Sequence, residues 1–90
     1  MKLFTNKKQL QNEIKDINNI NFVPTMGSLH KGHESLIKKS LRKSKNTIVS
    51  IFVNPRQFES KNDFYKYPKS KHNDIRILKK LKVNYVYKPN

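Results

Sequence analysis

Cysteine and tryptophan are both missing from these 90 residues, glycine occurs only twice, and six acidic side chains stand against twenty basic ones. Without cysteine there is neither a disulfide framework nor a thiolate metal site, which accords with a reducing compartment. No apolar run approaches the ~20 residues of a membrane span, so no membrane partner is expected. The amino terminus, M-K-L-F-T-N-K-K-Q, has no h-region and no small-residue cleavage site, so no signal peptide is read and the cytoplasm is the expected location. The shortage of acids leaves a formal net charge of +14, which raises the question of a polyanion partner. The lysines are scattered over every segment, however, and Lys7, Lys8, Lys38, Lys39, Lys79 and Lys80 belong to helix faces that water must solvate anyway. Lysine, asparagine and isoleucine are abundant together, as an AT-rich coding sequence produces. A solvated basic surface is therefore favoured, attracting small anions, and nucleic acid only non-specifically at low salt. A dedicated nucleic-acid-binding domain is the lesser alternative.

What is present alternates in period. Leu10, Ile14 and Ile17 fall at helical spacing within Thr5–Asn18, and the side-chain oxygen of Thr5 or Asn6 suits the cap. I-N-F-V-P reads as a short strand stopped by Pro24, which has no amide to continue a ladder. Glu34 to Lys45 reads as a second helix burying Leu36, Ile37 and Leu41. The run Thr47 to Val53, T-I-V-S-I-F-V, is β-branched and almost wholly apolar, as expected of a strand covered on both faces. Asn54 to Ser70 reads as a loop, Lys71 to Lys82 as a third helix presenting Ile75, Leu78 and Leu81, and V-N-Y-V-Y as a last strand. Lys82 stands where glycine would make an easier helix exit. The order α-β-α-β-α-β predicts an α/β fold with a parallel sheet and helices on its faces. Three strands make a narrow sheet, so residues 1–90 read as an incomplete domain.

Both glycines and two of the three histidines fall in one stretch, Pro24 to His33, P-T-M-G-S-L-H-K-G-H. In an open α/β sheet this loop lies at a strand's carboxyl end, beside a helix amino terminus, where ligands bind. Gly27 and Gly32 are expected to permit turns closed to other residues, with Glu34 and Ser35 opening the helix and its bare amides favouring an anion. His30 and His33 would lie on one side, with ring nitrogens able to donate to phosphate oxygens where charge builds up. A metal site lacks a third nearby ligand, because His72 sits at a lysine-rich helix start. Purely structural histidines are the other alternative. The spacing H-x-G-H between a buried strand and a helix is a signature of nucleotidyl transfer.

Three blocks sharpen that reading: V-P-T-M-G-S-L-H-K-G-H-E-S-L, V-S-I-F-V-N-P-R-Q-F and D-F-Y-K-Y-P-K. In order and spacing, from about Phe22 to Pro89, the chain resembles the pantothenate synthetase (pantoate–β-alanine ligase) family. Other adenylyltransferases share H-x-G-H but approach it through a G-x-F-D-like strand end and lack N-P-x-Q-F. The resemblance implies a Rossmann-like nucleotidyltransferase domain of which residues 1–90 are the amino-terminal portion. It also implies ATP-dependent condensation of pantoate with β-alanine through pantoyl adenylate, giving AMP and pyrophosphate. By that resemblance Met26, Gly27, Ser28, Leu29, His30, Lys31, Gly32 and His33 bind ATP, His33 and His30 are catalytic, and Gln57 and Asn54 hold pantoate and β-alanine. Magnesium would arrive on ATP, with no protein ligand identified in this chain.

Four departures stand out: Lys31 replaces an acidic residue, Arg56 fills a variable position, Glu59 and Ser60 replace Gly-Pro, and Lys82 replaces glycine. The family's further strands, lysine-bearing ATP loop, serine–arginine loop and carboxy-terminal domain are not in this sequence. The expected partners are the small-molecule substrates, with a second copy or the missing carboxy-terminal half. The alternatives are an inactive remnant or one piece of a split enzyme.

Overall fold

The computed structural model describes residues 1–44, 46–52 and 72–89. Its elements are β1 (Lys2–Phe4), α1 (Lys7–Ile14), β2 (Ile20–Thr25), α2 (Lys31–Lys43), β3 (Asn46–Ile51), α3 (described over 72–80) and β4 (Tyr85–Tyr87). The strands form one sheet in the order β1-β4-β3-β2, and every adjacent pair is parallel. The expected parallel α/β fold is present with one strand more than the sequence reading allowed. That strand, β1, pairs Lys2, Leu3 and Phe4 with Tyr85, Val86 and Tyr87. Three residues are too few to show an alternating pattern, and the partner lies at the far end of the chain.

β3 runs through the interior between β2 and β4, and Thr47 to Ile51 are all buried, as its apolar run requires. Among the described residues β2 has only β3 beside it. Pro24 does not stop this strand, which continues to Thr25. The Thr25 carbonyl accepts from Phe52 N–H across the ladder at 3.0 Å, so the neighbouring Pro24 nitrogen faces the open edge. A residue without an amide fits there at no cost in sheet bonds.

The core packs Val23, Val49, Ile51 and Val86 of the sheet against Ile37 of α2, Leu78 of α3, and the loop residues Leu29 and Val83. α2 buries Ile37 and half-buries Leu41, but Leu36, read as core, is 54% exposed. Its place on the inner face goes instead to Ser40, whose hydroxyl meets that of Thr47 at 3.2 Å. α1 is capped by Asn6, whose Oδ1 accepts from the amides of Lys8 at 2.8 Å and Gln9 at 3.2 Å. It ends at Ile14 rather than Asn18. Similarly α2 ends at Lys43, where the Ser44 amide bonds to the Ser40 carbonyl at 3.0 Å. α3 closes with a paired turn: Val83 N–H reaches Leu78 O at 3.3 Å and Lys82 N–H reaches Lys79 O at 3.1 Å. Lys82 takes the left-handed position there with φ 63°, where glycine is preferred. Val83 and Leu78 share the same core cluster, the contact that usually accompanies such a turn.

Candidate functional site

At the carboxyl end of β2 the chain leaves the sheet through Thr25, whose buried hydroxyl donates to the Ser50 carbonyl of β3 at 2.9 Å. The same oxygen accepts from Gly27 N–H at 3.4 Å. Gly27 and Ser28 then take left-handed φ values of 88° and 53°, turning the chain back over the sheet. Leu29 drops into the core and anchors the turn. The two amides at its apex are held by a side chain from another helix. Asp74 of α3 accepts from Ser28 N–H through Oδ2 at 2.8 Å and from Leu29 N–H through Oδ1 at 2.7 Å.

α2 begins earlier than Glu34. His30 is its N-cap, in extended geometry, and Lys31 is its first residue. The two histidines cap the helix reciprocally: the His30 side chain accepts from the His33 amide, and the His33 side chain from the His30 amide. Nδ1 of His30 also accepts from Gly32 N–H at 3.0 Å, and Nδ1 of His33 accepts from His30 N–H at 3.1 Å. The rings lie side by side, centroids 4.0 Å apart and planes 46° apart. Because each Nδ1 accepts, each neutral ring must carry its proton on Nε2. Burial and the neighbouring His30 hold the His33 pKa below its ordinary value, while Asp74 pulls weakly the other way. His33 therefore stays neutral near pH 7, a donor through Nε2–H.

Two expectations about the loop need correction. Gly27 does adopt a left-handed turn, but Gly32 sits inside α2 and is needed for room. A Cβ on it would lie 2.9 Å from His30 Cε1 and 3.1 Å from Nδ1. The bare amides are also largely spoken for: Ser28 and Leu29 by Asp74, Gly32 and His33 by His30, and His30 by His33. Among the described residues, the pair of ring N–H groups and the amide of Lys31, at the positive end of α2, are left to offer an anion. Met26 and Lys31 are exposed beside them.

A hollow of about 360 Å³ opens at this end of the sheet, lined by Pro24, Thr25, Met26, His33, Ser50 and Phe52. A larger one, about 520 Å³, lies at the opposite end among Met1, Lys2, Lys79, Lys82, Val83, Asn84 and Tyr85. It sits at the amino ends of β1 and β4, away from any helix start, whereas open parallel sheets bind ligands at strand carboxyl ends. The smaller hollow is the candidate site. Asn54 and Gln57, along with Arg56, Glu59 and Ser60, lie outside the described residues.

Comparison with known proteins bears on the family and the fold. The family model described as pantoate-beta-alanine ligase matches residues 2–90. The chain belongs to the pantoate–β-alanine ligase family. Pantothenate synthetase of Helicobacter pylori is 53% identical over 70 residues, covering 78% of this chain and 25% of that protein. Pantothenate synthetase of Endomicrobium trichonymphae is 48% identical, covering 100% of this chain and 33% of its own length. The crystal structure of the Francisella tularensis ligase, complexed with beta-gamma ATP and beta-alanine, superposes with a TM-score of 0.83 at 44% identity, covering 99% of this chain and 35% of that one. The chain thus spans about a quarter to a third of the ligases it matches. Family membership also confirms the Rossmann-like nucleotidyltransferase reading of the fold.

Sequence reasoning missed Thr25, Ser50 and Asp74. For Asp74 a signal existed. It is the acidic residue among the basic and apolar side chains of α3, and it lies at i relative to Leu78 at i+4 and Leu81 at i+7, on the helix's apolar stripe.

Proposed function

We propose that this chain supplies the first part of the active site of an ATP-dependent, AMP-forming ligase that condenses pantoate with β-alanine. A pantoate carboxylate oxygen attacks the α-phosphorus of ATP; a P–O bond forms, the bond to the bridging oxygen breaks, and pyrophosphate leaves. The amine of β-alanine then attacks the acyl carbon of pantoyl adenylate, AMP leaves, and a proton is lost to give pantothenate. His30 and His33 donate through Nε2–H to the phosphoryl oxygens, where negative charge accumulates during the first step. Gln57 and Asn54 hold pantoate and then β-alanine, the carbonyl and amide of Gln57 matching a hydroxy acid. Magnesium comes with the nucleotide phosphates. Among the described residues no three His, Asp or Glu side chains converge to hold it.

The observation that carries this reading is the reciprocal imidazole cap, which spends both Nδ1 atoms on the backbone and leaves both Nε2–H groups as donors. The Francisella relative, complexed with beta-gamma ATP and beta-alanine, supports it. Among the described residues no helix is long and apolar enough to cross a membrane. The location proposed for the reaction is the cytoplasm. The partner this reading requires is the remaining part of the ligase, with a second copy of the chain as the further candidate. The test is AMP release dependent on both pantoate and β-alanine. The chain alone is expected to bind ATP with little turnover, and turnover is expected to appear when the later part of a relative is added in trans. Failure to bind ATP would sink the proposal. Full turnover by the chain alone would refute its incompleteness.

A further inference from the structure

Asp74 is 0% exposed, yet the mechanism above gives it nothing to do. A buried carboxylate is tolerated where its lone pairs are met, and here both oxygens accept backbone N–H groups at 2.8 and 2.7 Å, lengths typical of charge-assisted bonds. The amides belong to Ser28 and Leu29, which end the left-handed turn and immediately precede His30. Successive amides in such a turn form a concavity that ordinarily takes an anion. In this loop the anion is built in.

We infer that Asp74 is a positioning residue: it occupies the loop's anion-binding amides, fixes the Gly27–Ser28 turn, and so aims the two imidazoles at an incoming phosphate. The consequence is selectivity. A ligand meets the ring N–H groups and not the Ser28–Leu29 nest next to them, which is filled by the protein's own carboxylate. Only the ligand's identity rests on the function proposed above; the clamp itself needs no ligand. It joins α3 to the start of α2 across 45 residues, so the histidines inherit their position from a helix distant in sequence.

The test uses the isotopically labelled full chain, its Asp74→Asn variant and Leu78→Val, which loosens the same helix without altering charge. In the wild type the Ser28 and Leu29 amide protons are expected far downfield and protected from exchange. In Asp74→Asn both lose that signature, both histidine ring signals move, and ATP affinity falls about tenfold. His33, which faces His30 and Asp74 with opposing effects, is expected to titrate lower still once the carboxylate is gone. Leu78→Val should lower the melting temperature and leave the His33 titration in place. If the wild-type amides exchange like open loop, or if Asp74→Asn keeps unchanged ring signals and ATP affinity, the inference is overturned. The wild-type amides decide alone should the variant not fold. Clamp signatures without ATP binding would overturn the nucleotide reading and leave the clamp standing.

Discussion

α1 and α2 both start a few residues after a strand, and each needs partners for its first free amides. α1 uses Asn6, whose short amide oxygen serves the amides of Lys8 and Gln9. α2 uses His30, with His33 returning the bond to the amide of His30. Asparagine would have capped α2 as well, since it ranks among the best N-caps. The imidazole is bulkier, so that Gly32 must lack a side chain, and it loses its acceptor when protonated. Capping alone does not account for these two costs. What distinguishes the second helix start is the nitrogen left over on each ring.

The largest expected difference between the two starts is chemical. With the complementing part of a relative present, His33→Ala should lower pantoyl-adenylate formation ~10²–10³-fold, a typical loss for a donor aimed at developing charge. Asn6→Ala should leave that rate unchanged. Gly32→Ala comes next. At an ordinary helix position alanine is more stable than glycine by ~1 kcal/mol. Here the added carbon must push His30 out of its cap, so denaturant titration should show no gain, and the His30 ring resonances should shift. Asn6→Ala should cost about 1 kcal/mol of stability with nucleotide affinity intact. His30→Ala should lose both.

The smallest effect is on pH dependence. His33 has a folded pKa below its unfolded value of about 6.5, so the native chain binds fewer protons than the unfolded one. The stabilisation from the neutral ring is complete above that unfolded value and is lost as pH falls through the lowered folded one. Urea midpoints taken across this window should decline on acidification in the wild type and decline less in His33→Ala. An equal decline in both would remove His33 as the cause.

Much of this was legible in the sequence because local pattern carried it. The T-I-V-S-I run had nowhere to go but an interior strand, and Leu78 with Ile75 and Leu81 marked the inner face of α3. The H-x-G-H loop declared its place between strand and helix. What escaped depended on contacts distant in sequence. β1 exists because Tyr85 to Tyr87 offers it an edge, and three residues cannot announce that themselves. Leu36 looked like core until the α2 face that meets β3 proved to carry Ser40. Pro24 looked like a stop because which edge of β2 is open cannot be read from β2. Asp74 stood on the apolar stripe of α3, but only tertiary structure brings the loop amides down onto it.

Lys82 holds a backbone shape that costs a side-chain-bearing residue roughly 1 kcal/mol relative to glycine. Lys82→Gly should return that amount as a higher melting temperature, far from the histidines and without touching their hydrogen bonds. The strained lysine is therefore a reserve. A chain carrying the glycine would tolerate damaging changes at the histidine end that the unmodified one could not survive, and would keep them observable in a folded molecule.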